Sequence, residues 1–163
     1  MHDLKLAHAD IRIDNFLLDM QDRVVLCDFN GTRRFGKVNP SATRPGETLG
    51  VNGTAQVVSD ESDRFGLASV IFLTETGVKP SLSLGPEGEL LYPEVDTGHC
   101  GVDAMIRKAW MREYSSTAAM LEHAESLERD DRGPVVPVAP AVIDSLRTRV
   151  QQWRKERESR YGE

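Results

Sequence analysis

Aromatic residues are scarce in this chain. Phe, Trp and Tyr together make up 6% of its 163 residues, so any core must be built mainly on aliphatic side chains around a few rings. Cysteine is nearly absent. Cys27 and Cys100 are isolated and fit no disulfide framework or zinc pattern. That usage predicts a reducing compartment, so the chain is expected to be intracellular and cytoplasmic. No apolar run approaches the ~20 residues of a membrane span. The opening Met1-His2-Asp3-Leu4-Lys5 lacks the basic and apolar blocks of a signal peptide. An excess of positive charge is missing too. Twenty Lys and Arg face 26 Asp and Glu, for a net charge of −6. Neither nucleic acid nor an anionic membrane is therefore an expected partner.

What is present fits one globular domain with a tail. Hydrophobic residues make up 39% and charged residues 28%, ordinary for a folded chain. Residues 1–7 read as the end of a helix or strand. Phe16 to Leu18 and Arg23 to Cys27 are short apolar runs joined by Asp19-Met20-Gln21-Asp22, which predicts a β-hairpin. Residues 30–59, rich in Gly, Asn, Thr and Ser, read as a long loop. Ser62 to Thr76 predicts a core helix, capped by Asp60 or Ser62, apolar nearly all round and ended by Gly77 and Pro80. Residues 78–100 read as loop anchored by Leu90-Leu91-Tyr92-Pro93. Val102 to Arg112 and Ser116 to Arg129 predict two more helices, the first with Met105, Ile106, Ala109 and Trp110 on one side. Residues 129–140 read as a proline-rich linker. Residues 141–163 read as a charged helical tail, whose stripe of Val142, Leu146, Val150 and Trp153 is expected to dock on the rest of the chain. The expected fold is mostly α with a small β-hairpin.

The chemistry-bearing residues lie at the hairpin's two ends. His8-Ala9-Asp10-Ile11-Arg12-Ile13-Asp14-Asn15 leads into the first strand, and Cys27-Asp28-Phe29 follows the second. Asp10 and Asn15 are five residues apart, Asn15 and Asp28 thirteen. A hairpin of that length brings its two ends to one edge, so an acid, an amide and a second acid are expected to converge. Taken singly, Asp10 and Asn15 fit an ordinary turn and Asp28 a strand-end acid.

This arrangement resembles the catalytic loop and metal-binding aspartate of protein kinases, written H-R-D-x-x-x-x-N and D-F-G. Ser62-Asp63-Arg64-Phe65-Gly66-Leu67-Ala68-Ser69 is similar to the kinase helix that opens S-D-x-F-x-L-G-S. Leu91-Tyr92-Pro93 and Ile106 to Tyr114 resemble the last helices of fungal-type protein kinases, with Ala109 in place of a frequent cysteine. The resemblance covers roughly residues 4–128 and implies a kinase C-lobe over residues 1–128. It implies that Asp10 is the catalytic base and that Arg12, where a lysine is usual, touches the transferring γ-phosphate. Asn15 and Asp28 would bind ATP-bound Mg²⁺ through hard oxygen ligands. His8 and Phe29 would be structural, and Asp63 would buttress the catalytic-loop backbone, besides acting as an ordinary first-turn acid.

The chain departs from that pattern at several points. Ala9 replaces the arginine that pairs with a phosphorylated loop, which argues against such a switch. Asn30 replaces the glycine of D-F-G, a mild change because asparagine tolerates left-handed backbone. No A-P-E motif is recognisable near Arg44-Pro45 or Gly53-Thr54-Ala55. Neither a glycine-rich loop with a strand lysine nor a partner glutamate is found, and Gly46 to Gly53 reads as plain loop. The chain begins seven residues before His8. It is expected to bind ATP very weakly alone, and to expose apolar surface that a protein partner could cover. Three functions follow as expectations: a protein kinase acting on Ser/Thr or Tyr, a small-molecule phosphotransferase of the aminoglycoside or choline kinase type, and a non-catalytic interaction module. His2, His99 and His123 read as surface or loop residues. The mixed-sign run from Arg154 to Arg160 reads as a solvated helix face.

Overall fold

The computed structural model describes residues 1–19, 23–42, 53, 55–130, 148, 151, 152 and 155. In chain order its strands and helices are β1 (Leu6–Ala7), β2 (Phe16–Leu18), β3 (Val24–Leu26), β4 (Arg33–Arg34), α1 (Asp60–Thr76), β5 (Ser83–Leu84), β6 (Leu90–Leu91), α2 (Cys100–Trp110) and α3 (Thr117–Asp130). The described part is mostly helical, with small antiparallel ribbons β1–β4, β2–β3 and β5–β6. The chain divides into two units, Met1–Asp130 and Asp131–Glu163. In the second, Thr148, Gln151, Gln152 and Lys155 are helical and exposed. Val142, Leu146, Val150 and Trp153, on which docking of the tail was expected, lie outside the described residues. No helix among the described residues is long and apolar enough to cross a membrane.

The β2–β3 hairpin forms where the two apolar runs predicted it, in the register Phe16↔Leu26, Leu17↔Val25, Leu18↔Val24. Asp19 and Arg23 close it. The Asp19 N–H donates to the Arg23 carbonyl at 2.9 Å, and the Arg23 backbone N–H returns a bond to Asp19 Oδ1 at 3.0 Å.

Helix α1 starts two residues earlier than expected, and its cap is Ser59 rather than Asp60 or Ser62. The Ser62 N–H donates to Ser59 Oγ at 3.4 Å, and the Ser59 N–H donates to Ser62 Oγ at 3.0 Å. This reciprocal box satisfies two otherwise orphaned donors. Asp60, Glu61 and Asp63 in the first turn face the positive end of the helix dipole. Gly77, at φ 72°, ends the helix in the left-handed conformation that glycine adopts without strain.

The helix is buried nearly all round from Ser62 to Phe72, as its composition indicated. The main core gathers Phe65 and Phe72 of α1, Leu82, Val95, Met105, Ile106, Ala109 and Trp110 of α2, then Tyr114 and Met120. Trp110 is its centre. Its Nε1–H donates to Ser69 Oγ at 3.1 Å, Phe72 packs at 5.4 Å between ring centroids, and Tyr92 stacks at 5.5 Å while donating its hydroxyl to the Trp110 carbonyl at 2.8 Å. Five of the ten aromatic residues thus meet in this core. Gly101 lets α2 and α3 approach closely: a Cβ there would lie 2.3 Å from Leu127 Cδ2.

Two loop expectations need correction. Residues 30–59 contain β4, which pairs with β1 in the register Leu6↔Arg34, Ala7↔Arg33, and a bridge between Val38 and Val57. Residues 78–100 contain the β5–β6 ribbon. Strands of two residues carry no legible period, and their pairing is fixed by partners distant in sequence. The segments from Gly46 to Asn52 and at Arg44-Pro45 lie outside the described residues.

Candidate functional site

The segment from His8 to Asn15 is held from below by α1. Asp63 is 6% exposed, and both of its oxygens are engaged. The His8 N–H donates to Oδ2 at 2.7 Å and the Ala9 N–H to Oδ1 at 3.0 Å. A buried carboxylate needs this much compensation, and here it comes from backbone that would otherwise be orphaned. His2 adds a third bond, with Nε2 2.9 Å from Asp63 Oδ2 and Nδ1 2.7 Å from Thr117 Oγ1. His2 is therefore no bland surface residue. It links the chain's first turn to α1 and to the start of α3.

His8 is 1% exposed. Its Nε2 lies 2.9 Å from the Cys27 carbonyl, so that nitrogen carries the proton. Phe29 meets its ring edge-on at 5.2 Å, although Phe29 is itself half exposed. The Cys27 N–H donates to the Asn15 carbonyl at 2.8 Å. His8, Asn15 and Cys27 thereby tie the two ends of the hairpin together, as the spacing of the motif indicated.

Asn15 is buried, and its Nδ2 donates to the Asp10 carbonyl at 2.8 Å and to Asp10 Oδ2 at 3.1 Å. The amide fixes both the turn and the acid. Asp28 adopts a left-handed backbone, φ 59° and ψ 64°, and its side chain is exposed. A Cβ on Gly31 would lie 3.2 Å from the His8 carbonyl and 3.6 Å from Asp10 Cβ. The turn after Asp28 is thus packed directly against the Asp10 segment.

Arg12 is exposed and forks onto Asp14, with Nε and Nη2 donating to Oδ2 at 3.0 and 2.7 Å. Its pKa is raised, first by the Asp14 hydrogen bond and charge and then by the charges of Asp10 and Asp28. One guanidinium therefore feels both acids of the site. An exposed pair such as Arg12–Asp14 is weak, so the guanidinium is readily diverted to another anion.

Hard-cation chemistry at this site would draw on one exposed carboxylate, Asp28, and the amide oxygen of Asn15. Those donors suit Mg²⁺ that keeps water and phosphate oxygens in its other positions. Among the described residues, no group of three or more His, Cys, Asp or Glu is gathered as a protein-only metal cage.

Sequence reasoning missed two neighbours of the site. Arg64 is 5% exposed and pairs with Asp60, while its Nη2 donates to the Tyr114 carbonyl at 3.2 Å. His2 was the other. The only sequence signal for either was a polar residue close to an apolar stretch. Behind the loop lies a cavity of about 480 Å³, walled by His2, Ile11, Phe16, Leu26, Leu67 and Leu121. Asp10, Asn15 and Asp28 do not line it, whereas His8 and Asp63, which anchor the same loop, do. No family model matches the chain, and no curated protein matches it.

Proposed function

We propose that this chain carries the catalytic-loop half of a protein kinase-like phosphotransferase, which moves phosphate from ATP to a Ser, Thr or Tyr hydroxyl of a protein. The observation that carries this reading is the Asp10–Asn15 pair on a loop whose backbone Asp63 clamps. Phosphoryl transfer asks a protein mainly for positioning and charge stabilisation. Asp10 orients the attacking hydroxyl and accepts its proton. Asn15 keeps Asp10 in place and, with Asp28, offers oxygen ligands. Arg12 leaves Asp14 to meet the transferring phosphoryl group. Mg²⁺, when bound with ATP, supplies charge neutralisation on the phosphates. The intracellular, cytoplasmic location belongs to the same proposal.

The test is transfer of labelled phosphate from ATP to casein, with and without Mg²⁺, by the chain supplied with an ATP-binding N-terminal lobe, because the chain alone is expected to bind ATP very weakly. Asp10→Asn is expected to lower the rate at least ~100-fold, the usual worth of a general base. Asp28→Asn is expected to raise the Mg²⁺ concentration required. Undiminished transfer by the Asp10→Asn chain would sink the mechanism.

A second reading, a non-catalytic interaction module, is favoured by the β2–β3 hairpin. Leu17, Leu18, Val24 and Val25 are 57, 68, 66 and 43% exposed, on both faces of the ribbon. A two-stranded hairpin is marginal alone, and apolar residues on both faces suit a strand pair that a protein partner covers. Absence of Mg²⁺-dependent transfer by the unaltered chain, with such a lobe supplied, would make this reading the leading one.

A further inference from the structure

The chain is acidic, yet its β1–β4 ribbon and the turn that follows are not. Lys5 precedes β1, Arg33 and Arg34 form β4, and Lys37 lies three residues further on. All four side chains are exposed. The pairing Leu6↔Arg34 and Ala7↔Arg33 brings Lys5 to the same end as residues 33–37, and the Phe35 N–H donates to the Lys5 carbonyl at 2.9 Å. Lys5 Nζ sits 5.8 Å from the Phe35 ring centroid. None of the four makes an ion pair with a described residue. Asp3 is the nearest acid in sequence. In a chain of net charge −6, uncompensated cations gathered on a hydrogen-bonded ribbon form a local positive field against an adverse background.

The ribbon is also next to the candidate site. Ala7 is three residues before Asp10, and Gly31, two residues before β4, packs against Asp10. We propose that Lys5, Arg33, Arg34 and Lys37 form a docking surface for an acidic polypeptide segment, and that this segment belongs to the protein substrate. The word substrate rests on the phosphotransferase reading; the binding does not. The long-range interaction of a chain of this net charge with a polyanion is repulsive, so binding must come from the ribbon itself. It should be short-ranged and salt-sensitive, because exposed charges are screened beyond ~8–10 Å at physiological salt.

The experiment is fluorescence anisotropy of the full chain with a labelled peptide of alternating Asp, Glu and Ser, against a Gln-for-acid control. The Arg33→Gln/Arg34→Gln/Lys37→Gln variant is expected to bind the acidic peptide about tenfold more weakly, as the loss of several exposed ion pairs implies. The Arg33→Lys/Arg34→Lys variant should keep most of the affinity. Thermal melting of each variant reads whether the ribbon still folds. Lys79→Gln, which removes an exposed cation outside the ribbon, should bind as the unaltered chain does, and because no ATP is present the anisotropy reads docking and not transfer. Equal binding of the acidic and control peptides would overturn the proposal. So would unchanged binding by the neutralised variant, or tighter binding of an oligothymidylate of matched charge.

Discussion

Asp63 reaches back across more than fifty residues to hold the backbone of Ala9, its Oδ1 accepting the Ala9 N–H at 3.0 Å. Its other oxygen takes the His8 N–H and His2 Nε2. One buried side chain on α1 therefore sets the path of the segment that bears Asp10.

Removing that carboxylate should cost more than removing a surface acid. Asp63→Ala leaves the His8 and Ala9 amides without their acceptor in a buried place. The expected loss is about 3 kcal/mol, from unsatisfied buried donors and lost charge-assisted bonds. Asp63→Asn keeps one acceptor oxygen and should lose less. Urea unfolding followed by far-ultraviolet circular dichroism measures both. A loss below that of an exposed acid such as Glu75 would contradict the structural role.

Ala9 and Ala7 make a paired test of backbone conformation. Both are buried, but Ala9 has φ 64° whereas Ala7 lies in β1. An L-residue in the left-handed region is strained by about 1–2 kcal/mol, which glycine relieves. That relief should offset the lost methyl burial and added chain entropy, leaving Ala9→Gly within ~0.5 kcal/mol of the original. Ala7→Gly has no strain to relieve and should lose about 1.5 kcal/mol. Equal losses in denaturant melts would show that Ala9 is not strained.

Alkaline pH should weaken the core around Trp110. Burial raises the pKa of Tyr92 above its usual value of 10, and burial followed by the charge of Glu113 does the same for Tyr114. A folded-state value above the unfolded one means that the native chain holds its phenolic protons longer. The stability they confer is complete below pH ~10 and declines as pH rises through the folded values. Absorbance titration at ~295 nm should show these two of the three tyrosines ionising above the ordinary phenol range. Tyr92→Phe should flatten the alkaline decline of the melting temperature. An ordinary titration curve for all three tyrosines would refute the burial argument.

The local vocabulary of the fold was legible from residues alone. Apolar runs around Asp19–Asp22 specified the β2–β3 hairpin, because two short strands with a polar turn between them have few other ways to pair. Gly77 specified the end of α1, because a left-handed residue was needed there. The spacing of Asp10, Asn15 and Asp28 around that hairpin foretold that its ends meet, which Cys27 and Asn15 do through their backbones. The cap of α1 was misplaced by a few residues because Ser59, Asp60 and Ser62 are all competent caps, and the choice depends on where the preceding chain arrives.

Tertiary structure alone decided the rest. The β1–β4 pairing joins segments about 27 residues apart, and two-residue strands have no periodicity to announce them. His2 and Arg64 looked like ordinary polar residues, yet each is held by a partner fifty or more positions away. Local patterning encodes which face of an element is apolar. It does not encode which distant carboxylate, carbonyl or amide a buried polar group will meet, because that is fixed only when the helices and ribbons pack together.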